Sequence, residues 1–426
     1  MAEYETGRDF ALRLDAEDAL ASRRELFYIK PGQIYMDGNS LGLCSKPAEQ
    51  AVLRALEDWK KYGIGIWTGA EINYFLYFDR IAAKLARLIH ARPEEVTVCA
   101  STTLNVHQCI ATFWKPDARR YKIVVDELNF PTDRYAVTSQ IRQRGMDVDE
   151  VLRVIPSRDG KTLAMEDILA ALTEDVSIVL LPSVLYRSAQ LLDMAAITRA
   201  AHEKGIICGF DLCHSIGAVD HDMEAVDCDF AVWCNYKYLS GGPGATAGLY
   251  VNRRHFGLEP GLAGWWGNRN DTQFELRPEF EHSPNAGGWQ TGTSPVLSMA
   301  AVDGALDAYE GLTMAEVRAR SLKLTEYLMY LIDTELAGYG FTIGNPRVDA
   351  VRGGHVALEH ADAVRINEAL KAADVVPDFR YPNVIRLAPS PLYTSFAEVW
   401  ELVRRLKEIM DTKAYEKYSD KAGTVA

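Results

Sequence analysis

The stretch GFDLCHSIGAVDHDMEAVDCDFAVWCNYKYLSGGPGATAG, residues 209–248, carries two side chains suited to chemistry at the end of a sheet. Asp211 falls at the carboxyl end of one predicted strand and Lys237 just beyond the next. In an open α/β sheet ligands bind outside those ends, so both side chains can face one crevice. A lysine whose ammonium is destabilised becomes a nucleophile able to form a Schiff base. An aspartate that keeps a pyridinium nitrogen protonated makes pyridoxal phosphate an electron sink. Together the two residues point to that cofactor, although an isolated Asp of this kind is usually a turn or cap residue and an isolated Lys a solvated one. Ser240, Gly241, Gly242 and Gly244 add a turn that backbone can use to approach a ligand. GGPGATAG leads into a strand and not a helix, which rejects a dinucleotide fingerprint. His355 and His360 have a spacing that suits neither a helix nor a strand metal pair, and no cysteine pair has zinc-ribbon spacing, so no metal site is expected.

These residues need a scaffold, and the runs VTVCA, YKIVVD, VSIVLLP, GIICGFD, FAVWC and ATAGLYV between 96 and 251 read as strands buried on both faces. Helical spacing in Asp133 to Arg144 and Met194 to Lys204 makes the alternation a set of right-handed βαβ crossovers around a mainly parallel sheet. Helices are also predicted from Pro47 to Gly63, Val296 to Tyr309, Thr313 to Leu336 and Phe396 to Thr412, with an amphipathic stretch over Ala11 to Tyr28. The expected division is an N-terminal segment, 1–50, packing with a small domain; a large cofactor-binding α/β domain, 51–305; and a small α+β domain, 306–426. The last residues, KYSDKAGTVA, read as a frayed tail.

Of 426 residues, 48% are hydrophobic and 25% charged, which excludes disorder as the main state. A net charge of -13 lacks the basic excess on which phosphate-backbone binding depends, so nucleic acid is not an expected partner. The seven cysteines are odd in number and mostly flanked by apolar residues, which favours a reduced, cytoplasmic thiol set. MAEYETGRDF has acidic residues where a secretory signal is basic, and no apolar run approaches a membrane span of about 18 residues. No membrane association is expected.

DLCHSIGAV, WCNYKYLSGGPGATAG and GWWG, with DGNSLGL near the start, FPTD at 130 and YPNVIRLAPSPLY at 381, resemble the kynureninase family in order and spacing from about residue 34 to about 396. The resemblance implies a fold type I pyridoxal phosphate enzyme, with a seven-stranded-type sheet in its large domain, that splits L-kynurenine hydrolytically to anthranilate and L-alanine. By similarity, Lys237 is the Schiff-base lysine, Asp211 the partner of the pyridinium nitrogen with His214 beside it, and Tyr236 a phosphate contact and proton relay. Thr102 and Thr103 match phosphate-holding positions, Phe130 the ring stacked on the pyridine, Asp133 its polar companion and Ser183 a position near the cofactor. Trp265 and Thr293 resemble phosphate contacts that the family supplies from a neighbouring subunit, which implies a homodimer with shared active sites. Arg386 matches the clamp on the substrate α-carboxylate, where a planar fork gives bidentate geometry. Gly292 and Thr293 stand where animal members tend to have Ser and Asn; with Trp67 as a loosely aligned pocket residue, this resembles the bacterial type that favours kynurenine over its 3-hydroxy form.

Rival readings stay within reach of the same residues. A class V aminotransferase shares the Asp and Lys; a cysteine desulfurase needs a nucleophilic cysteine well after the lysine, and every cysteine here lies at or before 234. A non-catalytic cofactor-binding protein has no use for a substrate clamp. A kynureninase-like enzyme of specialised biosynthesis would take a substituted ring.

Overall fold

The computed structural model describes residues 4–421, so the last five residues of the expected tail lie outside the described residues. Strands run in chain order as β1 (Ile34–Tyr35), β2 (Val96–Val98), β3 (Lys122–Asp126), β4 (Leu152–Ile155), β5 (Val176–Pro182), β6 (Ile207–Asp211), β7 (Phe230–Trp233) and β8 (Gly248–Val251). They continue as β9 (Thr342–Ile343), β10 (Val356–Glu359), β11 (Val375–Val376), β12 (Asp378–Arg380) and β13 (Val384–Leu387). A seven-stranded sheet has the order β2-β8-β7-β6-β5-β3-β4, in which β8 alone runs against its neighbours. All six apolar runs read as strands are in this sheet. The seventh, β4, was not expected: LRVI has an Arg in the run and is only half-buried over three of its residues, as an edge strand is.

Helices cover both faces, as the crossovers require. Ser45 caps the Lys46–Tyr62 helix by accepting the Ala48 N–H at 3.2 Å, with Pro47 in its first turn. Asp193 caps Met194–Glu203 in the same way. The stretch expected to be amphipathic from Ala11 to Tyr28 divides into a helix, Arg8–Ala16, and a 3₁₀ turn, Ala21–Leu26.

A second hydrophobic core forms between the four-stranded sheet β12-β13-β10-β9 and the helices Met314–Glu335, Ala363–Ala372 and Phe396–Asp411. Capping boxes at Thr313 with Glu316 and Ser395 with Glu398 fix where two of these helices begin. Ala11, Leu14, Ile34 and Met36 pack into this core, whereas Leu20 and Phe27 pack into the core of the large sheet. The N-terminal segment therefore spans both cores and does not belong to the smaller one alone. The Met314–Glu335 helix also crosses the seam, with Val317 in the first core and Leu324 in the second.

Asp303 ties the helices that cover the large sheet. Its carboxylate is 5% exposed and accepts from Tyr77 Oη at 3.0 Å, Arg80 Nε at 2.9 Å and Lys84 Nζ. Burial alone would raise its pKa, but Lys84 and Arg80 overcome that and hold it below the ordinary carboxylate value. Asp303→Ala is expected to cost about 3 kcal/mol at pH 7, the low end for a broken buried pair because Arg80 is half exposed. The contribution is present above the unfolded carboxyl pKa and is lost as pH falls through the depressed folded one. Thermal melts of both proteins at pH 7 and in acid check this: an unchanged gap would remove the charge as its source.

Candidate active site

The carboxyl ends of β5, β6 and β7 open onto a cavity of about 320 Å³. It is lined by Thr102, Thr103 and Phe130, by Asp211, His214, Tyr236 and Lys237, and by Arg386 from the small sheet. Eight residues expected from the sequence thus converge on one space.

Asp211 ends β6 beside Val232 of β7, and its Oδ1 accepts the Cys213 N–H at 2.6 Å. Its backbone carbonyl accepts from the Ser183 N–H at 2.8 Å and from Ser183 Oγ at 3.1 Å; Ser183 Oγ also meets Ser215 Oγ at 2.7 Å. Ser183 is fully buried and does not line the cavity, so it fixes Asp211 from behind. Asp133 is likewise fully buried, behind Asn129, which donates to its Oδ2 at 2.8 Å. Burial and the nearby Asp211 push the Asp133 carboxyl well above its usual value. Neither side chain is on the cavity wall, and each stands directly behind a residue that is, Ser183 behind Asp211 and Asp133 behind Asn129.

Lys237 sits in the turn after β7. Asn235 anchors that turn by donating to Thr246 O at 2.7 Å and accepting from Trp233 Nε1 at 2.9 Å. From the other side Gly42 donates its N–H to Tyr236 O at 2.8 Å. A Cβ at Gly42 would stand 2.3 Å from Lys237 O, so only glycine lets the N-terminal segment press this close. Lys237 Nζ donates to His214 Nε2 at 2.7 Å. Burial and the adjacent Lys237 charge drive the His214 pKa well below its usual value, which favours a neutral ring that accepts at Nε2. Cys234 and burial raise the Tyr236 phenol above its ordinary value, so its hydroxyl remains a donor at neutral pH.

At the opposite wall the Thr102–Phe113 helix begins, with Ser101 accepting the Leu104 N–H as its cap. Thr102 and Thr103 open its first turn beside the cavity, where backbone N–H groups and the helix dipole suit a phosphate. Thr103 Oγ1 meets Thr132 Oγ1 at 2.8 Å, which brings the FPTD segment to the same spot. Phe130 crosses Tyr186 edge to face at 5.6 Å and has its centroid 6.0 Å from Lys237 Nζ. A helix N-terminus for a phosphate, an exposed ring face, a carboxylate and a lysine fit pyridoxal phosphate in each of its parts.

Arg386 is 1% exposed on β13. Its Nε donates to Asp378 Oδ2 at 2.6 Å, its Nη1 to Tyr186 O at 2.9 Å and its Nη2 to Ser40 Oγ at 3.0 Å. Tyr186, Asn39, Ser40, Arg380, Asn129 and Thr132 line the cavity without having been singled out. All but Tyr186 lie inside or beside the quoted motifs DGNSLGL, FPTD and YPNVIRLAPSPLY, so the motifs held the signal although no single spacing did.

Trp265, Thr293, Trp67 and Gly292 are not brought to this cavity. Trp265 is 45% exposed and borders a separate groove with Gln273 and Phe280. Trp67 and Thr293 line an apolar groove with Trp59, Ile66 and Leu297. A further groove between Lys30 and the Phe396–Asp411 helix has Arg24, Arg404 and Arg405 paired with Glu398 and Glu401 and offers no comparable chemistry. All seven cysteines are free, no helix among the described residues is long and apolar enough to cross a membrane, and no metal-holding cluster occurs among them.

Comparison with known proteins adds an independent finding. Residues 317–406 match the profile of the kynureninase C-terminal domain. The chain is 51% identical over 418 residues to a kynureninase of Geobacillus thermodenitrificans and 50% identical over 418 residues to one of Bacillus cereus, covering 98% of each chain in both cases. Among solved structures, a mutant of C-DES with glycine covalently linked to its PLP cofactor superimposes with a TM-score of 0.78 at 15% identity, covering 90% of this chain and 99% of that one. That likeness is one of fold.

Proposed function

The chain belongs to the kynureninase family, and from that premise we propose that it cleaves the Cβ–Cγ bond of L-kynurenine hydrolytically, giving anthranilate and L-alanine with pyridoxal phosphate as cofactor. The observation that carries the reading is the convergence of Lys237, Asp211 and Arg386 on one cavity. Pyridoxal phosphate, when bound, supplies the electron sink that draws charge away from the substrate carbons. Lys237 would hold it, the Thr102 and Thr103 N–H groups would take its phosphate, Phe130 would cover one ring face, and Asp211 would keep its ring nitrogen protonated.

Arg386 neutralises the α-carboxylate and orients the substrate. Lys237 Nζ, once free, takes the α-proton, and neutral His214 accepts a hydrogen bond from that ammonium without competing for its charge. Tyr236 keeps its proton and can deliver it to the cleaved fragment. Asp211, held at both its carboxylate and its carbonyl, keeps its place while charge develops beside it. The rival reading as an aminotransferase lacks the family assignment, and a module that only binds cofactor leaves Arg386 unexplained.

The chain acts in the cytoplasm as a homodimer with shared active sites. In support, Trp265 and Thr293 lie on grooves apart from the Lys237 cavity, and Trp59, Leu53, Ile64 and Leu297 leave an exposed apolar surface beside one of them. Trp67 lines that groove and Gly292 directly precedes Thr293 on its wall, and both would reach the ring of a substrate bound to the other copy. The chain divides functionally into a cofactor-binding part, 51–305, and a carboxylate-binding part, 306–426, with the first 50 residues serving both.

Anthranilate fluorescence with pyridoxal phosphate and L-kynurenine, run beside 3-hydroxykynurenine and with alanine quantified, tests the activity. Equal anthranilate and alanine with no keto acid is the expected result, with L-kynurenine the faster substrate. A keto acid that retains the carbon skeleton would overturn hydrolysis in favour of amino transfer.

A further inference from the structure

The carboxylate end of the cavity holds more positive charge than one clamp requires. Arg386 and Arg380 both line it, and the two acids that face them, Asp378 and Asp37, do not. Asp378 is fully buried and accepts from Arg386 Nε and Nη2 through a single oxygen, Oδ2. Arg380 Nε stands 3.0 Å from the same oxygen, a close ion pair whose N–H is not aimed along the contact. β12 and β13 produce this arrangement, because Asp378 pairs in register with Arg386, and Arg380 with Val384, which puts both arginines on one face of the hairpin as diagonal neighbours, each beside Asp378. The result is a polarised cluster, with carboxylates behind and guanidinium groups in front.

One atom marks what the front accommodates. Ser40 Oγ, itself on the cavity wall, accepts from Arg386 Nη2 at 3.0 Å and from Arg380 Nη2 at 3.5 Å. An oxygen near that point is within reach of both guanidinium groups at once. Beside it Asn39 lines the cavity, fully buried, with neither side-chain atom partnered. A buried amide left unpaired is costly, and a ligand that supplies acceptor oxygens relieves it.

Resting on the functional reading above, we infer that Arg380 is a second substrate-binding cation: the α-carboxylate is held between Arg380 and Arg386, with the Asn39 amide donating to it. Arg386 has already committed Nε and one Nη2 hydrogen to Asp378 and one Nη1 hydrogen to Tyr186 O, so it alone offers a reduced fork. Arg380, with 23% of its side chain exposed, has donors to spare. Its contribution goes to binding and orientation, because its polar contacts are with Ser40 and Asp378 and not with Lys237, His214 or Tyr236.

The experiment titrates cofactor-loaded Arg380→Gln and Arg380→Lys calorimetrically with L-alanine and with ethylamine, which lacks the carboxylate, and measures KM and kcat for L-kynurenine. Loss of charge-assisted hydrogen bonds predicts roughly 10- to 100-fold weaker L-alanine binding in Arg380→Gln with ethylamine binding unchanged. KM for L-kynurenine should rise by a similar factor while kcat changes little. Arg380→Lys, which keeps the charge without the fork and preserves the balance against Asp378, should fall between the two and stands in if Arg380→Gln does not fold. An unaltered preference for L-alanine over ethylamine would overturn the assignment, and so would equal weakening of both ligands, the signature of a purely structural arginine. If the wild-type protein does not cleave kynurenine, the functional reading fails, and the ratio of the two titrations still decides the role of Arg380.

Discussion

Lys237→Ala is expected to abolish turnover and to leave pyridoxal phosphate so loosely held that gel filtration removes it. Two losses combine. The covalent anchor disappears, and so does the amine that meets His214 and, once free, is the base that moves the α-proton. Positioned proton transfer alone contributes roughly 10²- to 10⁴-fold, and losing the covalent link adds to it, so residual activity near the background rate is the expected measurement. The fold should persist, because the turn is held by Asn235 and Gly42 through contacts that do not use the lysine side chain. An active variant that retains its visible cofactor absorbance through gel filtration would sink the assignment. If Lys237→Ala melts far below the wild type, its inactivity says nothing of chemistry, which is why a melt accompanies the assay.

Asp211→Asn is the second large effect. Asparagine keeps the oxygen that accepts the Cys213 N–H and the backbone that Ser183 holds, so the geometry survives while the charge does not. Without a carboxylate the ring nitrogen of the cofactor loses the group that keeps it protonated, and the electron sink weakens. Breaking a buried charge pair costs about 3–5 kcal/mol, which corresponds to a fall in kcat of roughly 10²- to 10³-fold or somewhat more. Cofactor retention should change far less than in Lys237→Ala, since the lysine and the phosphate site remain. A variant with wild-type kcat would remove Asp211 from the chemistry.

Which features were readable in the chain follows from how far their causes extend along it. The six strands β2, β3 and β5 to β8 announce themselves as short β-branched runs, because burial on both faces leaves little room for polar residues. β4 escapes that rule as a half-exposed edge. Asp211 and Lys237 are legible because strand ends and ligand crevices coincide in this architecture. Ser183 and Asp133 show the limit: that both side chains are fully buried behind the cavity wall is decided by packing, which spacing does not report. Arg380, Ser40 and Asn39 were not legible as a group, since 340 residues separate Ser40 from Arg380 and only the pairing of β12 with β13 and the path of the N-terminal segment bring them together. Trp265 and Thr293 lie on grooves apart from the cavity, a separation that no spacing in the sequence reveals.

That N-terminal segment has a consequence for the order in which the protein matures. Met36 O accepts from the Ala388 N–H, Asp37 bridges to Ala388, and Gly42 reaches Tyr236, so the stretch is seated only when residues on both sides of the cavity exist. Once β8 is made, a ribosome adding about 5–20 residues per second needs roughly 7–27 s more to complete β13. Throughout that interval the nascent chain can form the large sheet and the lysine turn, but its α-carboxylate end is still unwritten. A half-made chain is thus able to meet cofactor before it can meet substrate, and the wait ends with β13.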